Sequence, residues 1–291
     1  MTKPTTSVAQ AWGNGFLGML IFSASMPATR AAVAGFDPFF LTAARAVIAG
    51  ALGLATLKLL RAARPSPGDW PRLVLVAAGV VLGFPLLSAL AVARITSAHS
   101  LIWIGLLPLT TALFSVWLAG ERPPLRFWAF AIAGAACVAG FAAARSRGGE
   151  AAGDALMAGA VISAGLGYVE GARLTPKLGG WQVISWALVL GLPFSVIAAF
   201  VLRPAEWPTA AAPWVGLGYV SVFSMWIGFV FWYRGLALGG IAAVGQLQLL
   251  QPFFGLVLSA LLLRETISVA TFAVAGAVLV CVAGARRTAK R

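Results

Sequence analysis

Charge is what this sequence has least of. Only 10% of its 291 residues are charged and 60% are hydrophobic. A soluble domain carries about 25% charged residues to keep its surface wet. This chain cannot cover a water-facing surface, so most of it must face lipid. Acids are scarcest, eight Asp and Glu against 21 Lys and Arg, and none is expected deep inside an apolar run. Histidine occurs once, at His99, and cysteine twice, at Cys137 and Cys281. One histidine without a deep acid supplies neither a catalytic constellation nor a metal cage, so no enzyme activity, metal or cofactor is expected. The cysteines sit within apolar runs and read as small buried hydrophobes. The N-terminus lacks the basic region, short apolar core and cleavage site of a secretory signal, so the first apolar run is expected to be retained.

A net charge of +13 could signal a nucleic-acid partner. That would require cations clustered on one folded face, whereas here they punctuate apolar runs and crowd the C-terminus. No nucleic-acid partner is expected; the lipid bilayer is.

What the chain has in abundance is apolar runs of about 20 residues, the length that crosses a bilayer as helix. Ten are readable: 10–31, 38–60, 72–92, 97–118, 126–144, 154–175, 182–202, 213–233, 242–262 and 267–285. The connections are too short for a soluble domain. With the N-terminus inside, the inner side holds 14 Lys and Arg and the outer side six, with Arg45 inside the second run. Cytoplasmic loops carry the cationic excess, which places both termini in the cytoplasm of an inner (plasma) membrane.

The chain also repeats itself. Thr96–Glu121 and Gly240–Glu265, 144 positions apart, align Ala98 with Ala242, Leu106 with Leu250, Pro108 with Pro252, Ser115 with Ser259, Leu118 with Leu262 and Glu121 with Glu265. A second echo follows each copy, FAIAGA at Phe130–Ala135 and FAVAGA at Phe272–Ala277. The expected fold is therefore all-α integral membrane: ten transmembrane helices as two five-helix repeats, 10–144 and 154–285, joined by a linker at 145–153 and followed by a basic tail at 286–291. Five is odd, so the second repeat enters from the opposite side. Inverted topology of this kind belongs to secondary transporters, with a site near the midplane between the repeats.

Trp12-Gly13-Asn14, Arg45, Pro108…Glu121 and Pro252…Glu265 together resemble the EamA-like ten-helix branch of the drug/metabolite transporter superfamily. Within it the chain is most similar to YddG-type exporters of aromatic amino acids. The resemblance implies a basket in which helices 1–4 and 6–9 line a cavity while helices 5 and 10 support it. The small four-helix relatives couple drug export to protons through a buried glutamate in the first helix. With no deep acid, facilitated export is expected here, or coupling through His99, the one group that titrates near neutrality.

Polar groups in hydrocarbon are costly and mark sites by default. His99 and Trp103 share a helical face at i, i+4, offering an imidazole and an aromatic plate. Asn14 could meet a substrate's polar end, and Gln246 is the amide of helix 9 best placed for the cavity. Gln248 and Gln251 read as interhelical bonds. Among the aromatics, Trp186 and Tyr233 are the candidates for a ligand ring. Arg45 could answer a carboxylate, but capping carbonyls or snorkelling is favoured. Pro108 and Pro252 mark matching bends, candidate hinges for alternating access. Glu121 and Glu265 are expected to clasp the repeats, with Arg122 and Arg264 as balancing charges. The reading is an exporter of small amphipathic metabolites, aromatic amino acids first, functional as a monomer. Cationic drugs, polyamines or purines are the alternative cargo, and a membrane sensor or assembly subunit the alternative class.

Overall fold

The structure is a computed structural model describing residues 8–120, 122, 124–145, 150–266 and 268–289; scattered side chains within the helices, Gln246 among them, lie outside the description. Among the described residues every regular element is helical. Lipid offers no partner for backbone N–H and C=O groups, and a helix pairs them within itself.

Seven helical runs are long and apolar enough to cross a membrane: Val8–Val33, Pro38–Leu59, Pro67–Val92, Ser97–Ala119, Glu150–Leu178, Gly180–Val201 and Ala211–Gly239. Leu247–Leu263 and Val269–Cys281 are shorter apolar helices, and Leu125–Arg145 is a further helix of 21 residues. Large apolar side chains such as Phe194 and Trp117 stand exposed around the bundle, where lipid would cover them.

Several runs are broken inside. The first divides at Ala24 into α1 (Val8–Ser23) and α2 (Ser25–Val33). Next comes α3 (Pro38–Leu59), opened by Asp37, whose carboxylate accepts from the N–H groups of Phe39 and Phe40 with proline at the first helical position, a strong start signal. The third run is α4 (Trp70–Val76), a π-helical stretch Ala77–Gly83, and α5 (Phe84–Val92). The fourth is α6 (Ser97–Ile104) and α7 (Leu107–Ala119). Then follow α8 (Leu125–Arg145), α9 (Glu150–Leu178) and α10 (Gly180–Val201). A second π stretch, Val220–Ile227, separates α11 (Ala211–Tyr219) from α12 (Gly228–Gly239). Last come α13 (Ile241–Gly245), a 3₁₀ stretch Gln246–Leu250, α14 (Gln251–Leu263) and α15 (Val269–Ala289).

The irregularities fall at the spacing of the sequence repeat. Shifted by 144, α7 coincides with α14 end for end, placing Pro108 and Pro252 in the first turn of each. Both helices end in a left-handed residue, Gly120 and Arg264, whose N–H groups return to the carbonyls of Ser115 and Ser259. The two π stretches overlap under the same shift. A π turn leaves carbonyls without their usual partner and often marks a functional site.

Packing follows small residues. Gly235 of α12 sits against Gly15 of α1, and Gly79 of the first π stretch against Gly167 of α9, so closely that a Cβ on either Gly235 or Gly79 would stand 2.6 Å from a backbone atom. Such contacts let helix backbones approach where lipid supplies no hydrophobic drive. Between these helices Phe22, Tyr168, Phe229, Trp232 and Tyr233 interlock, with Phe22–Phe229 centroids 5.0 Å apart and Tyr168–Trp232 5.7 Å.

Candidate functional site

At the centre, helices from both halves of the chain leave a small cavity lined by Phe22, Ser25, Arg45, Phe84, Tyr168 and Gln251, among others. Its volume is ≈ 10 Å³, about what one water molecule needs. The break in the first run supplies part of its polar edge: the Phe22 carbonyl, just before the break, accepts from Gln251 Nε2 at 3.2 Å. Ser25 and Ser224 share a hydrogen bond of 2.8 Å across the cavity wall.

Arg45 is the charge in this cavity. It is 3% exposed, and its Nη2 donates to the Val220 carbonyl, at the start of the second π stretch, at 3.2 Å. Its Nε has no partner, and among the described residues it forms no ion pair. Arg45 does cap a helical carbonyl, as the sequence suggests, but it does so from the cavity wall, with donors to spare.

The remaining sequence candidates do not converge there. His99 and Trp103 stand near the start of the fourth run, with His99 Nε2 2.8 Å from Asp154 Oδ1 and the Trp103 indole N–H donating to the same oxygen at 2.7 Å. Asn14 returns its amide to the Gln10 carbonyl of its own helix at 2.7 Å. Trp186 packs edge-on against Trp70, 5.9 Å away, beside Lys58, Arg61 and Arg64. Tyr233 is fully buried in the aromatic core and donates to the Gly167 carbonyl at 3.0 Å. Gln248 lies buried beside the Tyr168 hydroxyl. The side chain of Gln246, and Glu121 altogether, lie outside the described residues.

Two acids of α9 are nevertheless buried between helices, one a turn from its start and one towards its other end. Asp154 and Glu170 are 6% and 1% exposed within α9. Reading the run from 154 put Asp154 at a helix edge, whereas α9 begins a turn earlier, at Glu150. Glu170 accepts from Arg173 at 2.6 Å and has Arg72 at 3.7 Å. On that same end Lys177 donates to both Asp69 oxygens at 2.8 and 2.7 Å. The opposite end is held by Glu265, which accepts from the N–H groups of Ser97 and Ala98 at 3.1 and 2.9 Å and from the Ser97 hydroxyl at 2.9 Å. Its balancing partner is thus the positive N-terminus of α6; Arg264 stands exposed. Glu265→Ala strands two backbone donors at about 1–3 kcal/mol each. The apparent melting temperature of the purified variant should fall by several degrees, and Glu265→Gln, which keeps one acceptor, should fall less.

A family model described as the EamA-like transporter family matches the chain twice, over residues 12–142 and 151–286. The chain belongs to the EamA-like transporter family. A Bacillus subtilis (strain 168) protein described as the uncharacterized transporter YdeK is 56% identical over 280 residues, covering 96% of this chain and 98% of its own. A solved structure described only as a crystal structure of a protein shares the fold, with a TM-score of 0.72 over 98% of this chain and all of its own, at 24% identity. This EamA-like protein is a multi-pass membrane transporter, and the residues above are to be read as parts of one.

Proposed function

We propose that this EamA-like protein exports small amphipathic metabolites carrying a carboxylate, aromatic amino acids first, by alternating access. One observation carries the reading: Arg45 is a buried guanidinium with unused donors and no acid partner among the described residues, on the wall of an aromatic-lined central cavity. An unpaired charge in hydrocarbon is costly, and a carboxylate cargo would supply the missing pair in the two-pronged geometry a guanidinium favours. Phe22, Phe84 and Tyr168 would meet the ring. A fixed cation repels cationic drugs and polyamines, which makes them the weaker cargo.

The architecture proposed for this cycle is ten spanning helices in two inverted five-helix repeats, working as a monomer with both termini cytoplasmic. The matched lengths of α7 and α14, their matched left-handed ends, the paired π stretches and the double family match support it. On this reading the Glu265 end faces outward and the Lys177 end inward. The small cavity must widen to hold cargo, with bends at Pro108 and Pro252 as the hinges. Counterflow in proteoliposomes tests the reading: labelled phenylalanine should accumulate against preloaded unlabelled phenylalanine, tryptophan should compete, and lysine and a quaternary amine should not. Accumulation blocked by the amine alone would replace the cargo class with cations.

A further inference from the structure

We propose that a cavity between the end of α3, the start of α4 and α10 binds the headgroup of an anionic phospholipid. The inference goes beyond the transport reading and does not depend on the cargo. The cavity has a volume of ≈ 510 Å³ and is lined by Leu54, Lys58, Arg61, Arg64, Trp70 and Trp186, among others, a size that suits a small-molecule group. Lys58 lies in the last turn of α3, Arg61 and Arg64 follow it, Trp70 opens α4 and Trp186 belongs to α10. A ligand seated there touches both halves of the chain.

The three cations find no partner inside the protein. Among the described residues none of them makes an ion pair or a side-chain hydrogen bond. Asp69 and Glu170, the described acids of this end, are already matched, by Lys177 at 2.7 Å and by Arg173 at 2.6 Å. At the opposite end the fold provides for its arginines: Arg30 and Arg94 donate to the Val92 and Leu90 carbonyls, and Arg203 lies over the Phe200 ring at 4.9 Å. The negative end of α3 favours a cation at Lys58. It does not explain Arg61, which has φ 48 in the left-handed position just past the helix. The turn is closed by the Arg61 N–H on the Lys58 carbonyl at 3.1 Å and the Ala62 N–H on the Leu57 carbonyl at 2.9 Å. Such a backbone suits glycine and strains an arginine, yet this guanidinium meets nothing in return among the described residues.

Three cations around one cavity select an anion, and phosphate oxygens match guanidinium donors in geometry as well as charge. The walls favour a lipid as its source. Leu59 and Leu60, between Lys58 and Arg61, are 81% and 63% exposed, where acyl chains would cover them. Trp70 and Trp186 meet edge-on at 5.9 Å, and indoles settle at the headgroup level of a bilayer. The Trp186 indole nitrogen, buried in the wall, has no acceptor among the described residues. Basic pockets between spanning helices hold anionic headgroups in this way.

The test needs no cargo. Purified protein, stripped of co-purifying lipid in detergent and titrated with dioleoylphosphatidylglycerol, should retain a bound lipid in native mass spectrometry. It should hold that lipid roughly tenfold or more tightly than dioleoylphosphatidylcholine at low salt, and less tightly as salt rises. Glycerol 3-phosphate, a soluble source of the same chemistry, should neither bind nor compete at matched concentration. If it binds as well as the lipid, the cavity takes free phosphate esters and the lipid assignment falls. Arg61→Gly and Arg64→Gln should each weaken retention roughly fivefold. Arg61→Gly also relieves the left-handed backbone, so in lipid-free detergent it should melt no lower than the unaltered protein, which separates lost binding from lost fold. Arg234→Gln removes a cation of the same end beside a separate cavity walled by Trp181 and Pro176, and should leave retention within about twofold. Equal retention of the two lipids, unchanged affinity in Arg61→Gly and Arg64→Gln, or an equal loss in Arg234→Gln would overturn the inference. Failure of phenylalanine counterflow counts against the cargo alone and leaves these readouts standing.

Discussion

Replacing Arg45 with methionine should raise the melting temperature of the purified protein while removing amino-acid transport. Among the described residues the side chain is buried with one hydrogen bond, to Val220, and no acid partner. Exchanging a buried, poorly compensated charge for an apolar side chain of similar length is often stabilising, even with the Val220 carbonyl left to its own helix. Function should move the other way. Truncating one partner of a buried charge pair costs about 2–5 kcal/mol, roughly a thirtyfold or greater loss of affinity at 1.4 kcal/mol per tenfold. Arg45→Lys keeps the charge and loses the fork, so it should retain weak counterflow. Phenethylamine, which lacks the carboxylate, should not compete in the unaltered protein. A variant that transports normally but melts earlier would make Arg45 a structural cap and remove the carboxylate from the proposed cargo.

Gly235→Val should abolish recovery of monodisperse protein. An added Cβ would lie 2.6 Å from the Gly15 nitrogen and 2.8 Å from the Gly15 Cα. Neither atom belongs to a side chain that can swing aside, so α1 and α12 would have to separate. Overpacking a well-filled interior typically costs about 1–3 kcal/mol when side chains can adjust, and a backbone obstacle should cost more. Gly13 on α1 provides the control, since nothing lies within 4 Å of a Cβ built there. Gly13→Ala should leave stability unchanged or improve it by up to about 1 kcal/mol through helix propensity. Size-exclusion profiles and melting curves of the two variants distinguish a specific backbone contact from general sensitivity of the membrane helices.

Much of the scaffold was legible because lipid imposes a simple code. Runs near bridge length became helices, and the apolar stretch around Pro108 returned around Pro252 with helices of equal length. The π stretches were not legible, because hydropathy depends on side chains and not on which carbonyl each N–H reaches. Glu265 was read as a clasp, but its partner was sought next to it in the chain. The partner is the N-terminus of α6, more than 160 positions away.

The candidate site was less legible. His99 and Trp103 could be paired from their spacing, since i and i+4 share a helical face. Asp154, 51 positions beyond Trp103 on another helix, could not be. Arg45 was visible as an expensive charge, but whether an acid balanced it depended on the neighbours that folding brings.

Composition alone determined that the chain is a membrane protein, because a surface this apolar can be solvated only by lipid. The echo of Thr96–Glu121 in Gly240–Glu265, too, was present in the order of residues. Tertiary structure alone decided which polar groups are satisfied. Hydrogen bonds and ion pairs across helices depend on distances of a few ångströms between residues far apart in sequence, and no local pattern encodes them. That is why Arg45 stands in the central cavity without an acid partner among the described residues while His99 finds an acid across the two halves.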